Sequence, residues 1–241
     1  MKLALLPLQI RPRAPQANLA ALARRLDEIA PQGPRFVLLP ECTLTGYLCA
    51  TEDLARFAEP IPGPTTAALG ALARRYGVYL GGGLLERTPQ GVYDSAVVLS
   101  PQGTVALHAR KVYEQPPFQR AAAPTLAEVG GVRLGVLICG DLFHPPAWEA
   151  LRAQRPQLVW VPLARSFAGR SPDPQRWERE ERAVYVRQAT GLGAPVALVN
   201  ALEVDEPEPA FGGALVVLPS GQVLAEAPHG SAEALVVEVP L

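Results

Sequence analysis

The chain has 241 residues, 49% hydrophobic and 19% charged, which is enough to bury a sizeable core without disulfides or metals and excludes a disordered chain. Its 22 basic and 23 acidic residues leave a formal charge of −1, so no long-range field draws it to nucleic acid or to an acidic membrane. Three cysteines in this length are not a disulfide framework and fit a reducing, cytoplasmic setting.

In chain order, Leu3 to Leu8 reads as a first strand; the opening segment lacks the apolar core and cleavage site of a signal peptide. Leu19, Leu22, Leu26 and Ile29 recur at helical spacing within 18–30. Phe36 to Leu39 is a short buried strand, and Leu69, Leu72 and Tyr76 mark a helix over 65–76 that Gly77 stops. Strands follow at 78–83, 93–99 and 104–109, with the turn Ser100-Pro101-Gln102-Gly103 between the last two. Val132 to Ile138 is a strand, and 145–154 is a helix with prolines in its first turn, where a missing N–H costs little. The pattern continues with a strand at 158–162 and a helix at 175–190 with Trp177, Val184 and Tyr185 toward the core. Four more strands follow at 195–200, 214–218, 223–227 and 234–239. Strands alternating with helices define an α/β chain, and fully apolar strands imply sheets covered on both faces. No linker divides the chain, so residues 1–241 are expected to form one domain. The loops 166–174 and 203–209 lie within it. No stretch approaches the ~18 apolar residues that span a bilayer.

Three residues stand near predicted strand ends. Cys139 follows the apolar run Leu134 to Ile138 and precedes Gly140; a side chain at such a corner is presented at the carboxyl edge of a sheet, though a small buried cysteine ending a core strand has the same context. Glu41 follows Phe36 to Leu39 and Pro40, where desolvation makes a glutamate a candidate base, against the alternative of a solvated loop acid. Lys111 follows Thr104 to Ala109. Lysine occurs only at Lys2 and Lys111, the other 20 basic residues being arginine, so an internal lysine calls for a reason.

The surrounding strings are LLPECTLTGY, ARKVY and GVLICGD. Together they resemble the nitrilase-like carbon–nitrogen hydrolases, through Pro40-Glu41, Thr45-Gly46-Tyr47, Arg110-Lys111 and Gly135 to Asp141, with further matches at Pro62-Gly63-Pro64, Tyr93-Asp94-Ser95-Ala96 and Phe211-Gly212-Gly213. The resemblance implies a four-layer α-β-β-α sandwich, assembled as a homodimer or higher homo-oligomer. It implies Cys139 as nucleophile, Glu41 as base, and Lys111 with the Gly140 N–H as oxyanion donors. A second active-site glutamate is expected at Glu114, with Glu128, before Gly130-Gly131, read as a loop residue. Tyr47, His144 and Arg165 are candidate pocket residues; His144 could instead cap the helix at Pro145, and Arg165 or Arg170 could contact an anion. The expected substrate is a small linear amide, with no metal, cofactor, nucleic acid or membrane partner.

A nitrilase, an acyltransferase and a non-catalytic ligand binder share these residues and stay open. Gly140 stands where many relatives carry a bulkier residue, and Leu142 and Phe143 stand where amino-acid carbamoylases carry arginines. The first departure enlarges the pocket mouth or relaxes the corner, and the second points away from an N-carbamoyl amino acid and toward a less charged substrate. Most relatives extend past the last strand with a tail that often contributes to subunit contacts, whereas this chain stops at Val239-Pro240-Leu241, which leaves the oligomeric state open.

Overall fold

In the computed structural model, which describes residues 1–167, 173–203 and 208–241, side-chain alternation along each strand decides the layering. In β1 (Lys2–Leu5), Leu3 and Leu5 face one core and Ala4 the other. In β2 (Phe36–Leu38), Phe36 and Leu38 join the first core and Val37 the second. The same two-sided burial recurs in β4 (Gly91–Leu99), where Ala96 and Val98 oppose Val97 and Leu99.

These strands lie in a six-stranded sheet of order β12 (Leu235–Glu238), β1, β2, β3 (Tyr79–Thr88), β4, β5 (Val105–Arg110). A second six-stranded sheet runs β11 (Val223–Ala227), β10 (Ala214–Val217), β9 (Val196–Asn200), β8 (Leu158–Leu163), β7 (Val132–Val136), β6 (Thr125–Val129). Each sheet is mixed: β1, β2 and β3 pair in parallel, as do β7, β8 and β9. The sheets meet face to face, and Trp160 of β8 seats on Gly81 of β3, where a Cβ would come within 3.0 Å of the indole.

Helices complete the sandwich. From α1 (Pro15–Ile29), Leu22, Leu26 and Ile29 pack on the first sheet, as do Leu69, Leu72 and Ala73 of α3 (Pro64–Tyr76). From α4 (Pro145–Ala153), Leu151 packs against Gly135 of β7, and Tyr185 and Ala189 of α6 (Arg182–Thr190) join the same cluster. The architecture is therefore α-β-β-α. Among the described residues no helix is long and apolar enough to cross a membrane.

Local departures from the sequence reading have clear causes. A short helix, α2 (Thr51–Phe57), was not anticipated, although Glu52 and Asp53 in its first turn favour a helix N-terminus. Residues 125–129 form β6, because Gly130 and Gly131, both at positive φ, make the turn of a β6–β7 hairpin. The helix expected over 175–190 is broken: α5 (Pro174–Arg176) passes through a π-helical turn at Trp177–Glu181 into α6. Trp177 and Tyr185 are buried as expected, whereas Val184 is only partly so.

Candidate active site

The segments after β2, β5, β7 and β8 converge on one cavity of about 310 Å³. Its lining includes Glu41, Tyr47, Lys111, Tyr113, Glu114, Cys139, Gly140, Ala164 and Arg165.

Glu41 reaches it because β3 allows the chain after β2 to lie against it. Thr43 donates its N–H to the Gly83 carbonyl at 2.9 Å, and the Gly83 N–H returns to Pro40 at 3.2 Å. A Cβ on Gly83 would stand 2.5 Å from the Cys42 nitrogen and 2.8 Å from the Glu41 Cα. The glycines of 81–83 thus serve two close approaches, Trp160 on Gly81 and the Glu41 segment on Gly83.

Lys111 is buried and continues the β4–β5 pairing through its N–H to the Asp94 carbonyl at 2.9 Å. Its Nζ lies 2.8 Å from Glu41 Oε1, 3.0 Å from Asp94 Oδ2 and 2.6 Å from Glu114 Oε2. The Tyr47 ring lies 5.1 Å from the same ammonium, and the Tyr47 hydroxyl donates to Glu114 Oε2 at 3.0 Å. The three carboxylates place oxygens within 4.8 Å of one another, a spacing that would also suit a metal ion. The ammonium supplies the positive charge that group requires. The charges raise the Lys111 pKa above its ordinary value despite burial. Burial, then the Glu41 charge, raises the Asp94 carboxyl well above the usual range.

Cys139 sits at φ +48 in the short turn Cys139–Phe143 that follows β7. A non-glycine residue in the left-handed region is strained, and the strain here turns the sulfur toward the cavity. Asp141 holds this turn. Its carboxylate accepts the N–H of Tyr113 at 2.7 Å, Val112 at 3.0 Å and Ile138 at 3.1 Å, which ties the turn to the segment after Lys111. Burial lifts the Asp141 carboxyl to about 6, against the pull of these bonds. The Cys139 thiol is pushed up to about 12, chiefly by burial and then by Glu41, with Lys111, Arg165 and a backbone hydrogen bond from Ala164 opposing. At neutral pH the sulfur therefore rests as a thiol, and nucleophilic attack requires a base to take its proton.

Glu41, Lys111, Cys139, Glu114, Gly140, Tyr47 and Arg165 all line this cavity; His144 and Glu128 do not. His144 stands behind Tyr113, their rings stacked at 4.5 Å, and precedes α4 without a side-chain cap, because the turn after Cys139 rotates it out of the cavity. Glu128 is exposed on the edge strand β6, opposite Arg133. Arg170 lies outside the described residues. The sequence reading missed roles for Asp94 and Asp141, although both fall within quoted motif strings. It also missed Asn200, whose side chain brackets the Arg165 backbone through bonds of 2.8 and 3.1 Å.

The fold and this cavity are those of a thiol-dependent hydrolase. The profile of the carbon–nitrogen hydrolase family matches residues 2–241, and the chain belongs to that family. It is 29% identical over 236 residues to a nitrilase of Pyrococcus abyssi, covering 94% of this chain and 85% of that one. It is 28% identical over 251 residues to the human omega-amidase NIT2, covering 98% and 86%. Among solved structures, an amidase from Nesterenkonia sp. superposes with a TM-score of 0.83 at 26% identity, over 100% of this chain and 90% of that one. One variant of that amidase carries the acetamide moiety of fluoroacetamide on its active-site cysteine, and another is complexed with butyramide.

Proposed function

We propose that the protein is an amidase that hydrolyses a small linear amide through a thioester on Cys139. The observation that carries this reading is the Lys111 ammonium, held within 3.0 Å of Glu41, Asp94 and Glu114 in the cavity that Cys139 enters.

Glu41 takes the thiol proton as sulfur attacks the amide carbonyl, which offsets the raised pKa of Cys139. The C–N π-type conjugation is lost and a tetrahedral oxyanion forms. Lys111 and the Gly140 N–H stabilise it. Glu41 returns the proton to the nitrogen, ammonia or an amine leaves, and the thioester remains. Water, deprotonated by Glu41, attacks the thioester; the carboxylic acid departs and the thiol is restored. Glu114 and Asp94 fix Lys111 in place, and Tyr47 fixes Glu114.

Intact-protein mass spectrometry against a panel of amides tests this. A transient acyl adduct on Cys139, absent in Cys139→Ala, is expected, and its mass names the acyl group. Paired nitriles in the same panel separate amide from nitrile hydrolysis. An amidase activity that survives Cys139→Ala overturns the reading.

We also read the protein as a cytoplasmic homo-oligomer. The three free cysteines, Cys42, Cys49 and Cys139, suit a reducing compartment. Light scattering coupled to size-exclusion chromatography measures the assembly.

A further inference from the structure

Glu41, Lys111 and Cys139 account for the reacting end of an amide, but the cavity also holds an aromatic ring that the chemistry does not use. Tyr113 lines the cavity and is 42% exposed, although its side chain is large and mostly apolar. The residue is held from two sides. Its N–H donates to Asp141 at 2.7 Å, and one face of its ring stacks on His144 at 4.5 Å and 15°. Among the described residues no second ring covers it. Gly140 keeps the space beside the ring open: a Cβ there would stand 3.5 Å from Tyr113 Cδ1 and 3.9 Å from Lys111 Cε, and any longer side chain would fill that space. Depth in the cavity gives the substrate a direction. Glu41 is 1% exposed and Lys111 4%, so they form the floor, whereas Tyr113 stands at the mouth. The leaving nitrogen must reach Glu41 for its proton, so the acyl chain runs outward past Gly140 to the Tyr113 ring.

We infer that Tyr113 is a specificity-determining residue whose free ring face receives an aromatic ring at the end of the acyl chain, so the substrate class is the primary amide of a short arylalkanoic acid. This rests on the amidase reading above. A flat ring laid on Tyr113 continues the stack that His144 begins, and offset stacking adds to the gain from burying apolar surface. Because Asp141 and His144 already hold Tyr113, little freedom is lost when such a ring docks. The cavity of about 310 Å³ has room for one ring and its linker.

A Tyr113 that only supports His144 and the Cys139 turn would affect all substrates alike. The test compares phenylacetamide, cyclohexylacetamide and acetamide on the native protein, Tyr113→Ser and Tyr113→Phe. The ratio of kcat/KM for phenylacetamide over acetamide is expected to fall roughly 10- to 50-fold in Tyr113→Ser, mostly through KM, and to be retained in Tyr113→Phe. Gly140→Val, which fills the space beside the ring from the opposite side, is expected to lower the same ratio. Cyclohexylacetamide is apolar but not flat, and should lose less than phenylacetamide in Tyr113→Ser. An unchanged ratio, an equal loss on phenylacetamide and acetamide, or an equal loss on the two ring substrates overturns the inference. Calorimetric binding of phenylacetamide to Cys139→Ala, with and without Tyr113→Ser, needs no turnover. Tyr113-dependent binding without hydrolysis by the native protein would leave the ring site standing and remove the amidase reading. Hydrolysis of the amides with binding that ignores Tyr113 would do the reverse.

Discussion

The Asp141 carboxylate sits 2.7 Å from the backbone nitrogen of Tyr113, so the turn that carries Cys139 and the segment that carries Lys111 share one anchor. The same carboxylate also accepts the Val112 and Ile138 N–H groups. Two catalytic candidates from different sheets are registered against each other by a side chain that does not line the cavity.

That anchor is pH-sensitive. The Asp141 carboxyl titrates at about 6, above its unfolded value, so the folded state takes up a proton before the unfolded state does. Global stability from this group therefore rises, rather than falls, as pH drops through 6. Activity moves the other way, because a protonated oxygen no longer accepts the N–H groups facing it. An acid limb near pH 6 is expected in kcat, with no loss of thermal stability in the same window. In Asp141→Asn the amide NH2 opposes backbone donors at all pH values. Its kcat is expected to be about 10-fold or more lower, and its inflection near pH 6 absent. A native profile flat from pH 5 to 8 contradicts this anchor.

Lys111 and Asp94 should respond unequally to neutralisation. Lys111→Met leaves Glu41, Asp94 and Glu114 buried without their cation, and breaking such a buried group is expected to destabilise by about 3–5 kcal/mol. The Asp94 carboxyl, already raised by burial, then also loses the cation that favours its charged form, so this variant regains stability as pH falls. Asp94 already has its carboxyl raised, and Asp94→Asn is expected to change stability by about 1 kcal/mol or less. Urea denaturation at pH 5 and pH 8 measures both; similar losses for the two variants would contradict the charge assignment.

Much of the site was legible because parallel strands end where side chains can meet: Glu41 after β2 and Cys139 after β7 were placed by apolar runs alone, and the motif strings tied them to Lys111. Asp94 was harder to see, since it stands seventeen residues from Lys111 in sequence and meets it only through the β4–β5 pairing. An acid in the strand that continues into Ala96, Val97 and Val98 was the available signal. Asn200 has the same character, because the β8–β9 register brings it to Arg165. His144 was misplaced because closeness to Cys139 along the chain does not give direction when a tight turn lies between them. Residues 125–129 are hidden because an acid just before the Gly130-Gly131 turn reads as a loop residue, and only the pairing with β7 shows that a strand precedes the turn.

Gly83 offers a test of how Glu41 is positioned. A methyl group there would sit 2.5 Å from the Cys42 nitrogen and 2.8 Å from the Glu41 Cα, both backbone atoms that cannot swing aside. Gly83→Ala is therefore expected to push the Glu41 segment off β3 and break the Thr43–Gly83 bond. The outcome is a kcat lowered about 100-fold with KM little changed, since a displacement near 1 Å at a catalytic group has that effect. Circular dichroism should still report a folded chain, because β3 keeps its other pairings. Full activity in Gly83→Ala would show that the glycine is not needed for the approach.

Thiol labelling distinguishes a base-assisted cysteine from a standing thiolate. With its pKa near 12, Cys139 holds almost no thiolate at pH 7.5, so its reaction with a haloacetamide depends on Glu41 taking the proton. Iodoacetamide is expected to modify Cys139 ahead of exposed Cys49, because its amide group occupies the same cavity as a substrate, while Cys42 stays unmodified until unfolding. Glu41→Gln should slow the Cys139 reaction about 100-fold or more and leave Cys49 at its native rate. Peptide mapping of a time course reads all three thiols at once. Equal Cys139 rates in the native protein and Glu41→Gln would mean that the sulfur ionises without Glu41, and the base would have to be sought elsewhere in the cavity.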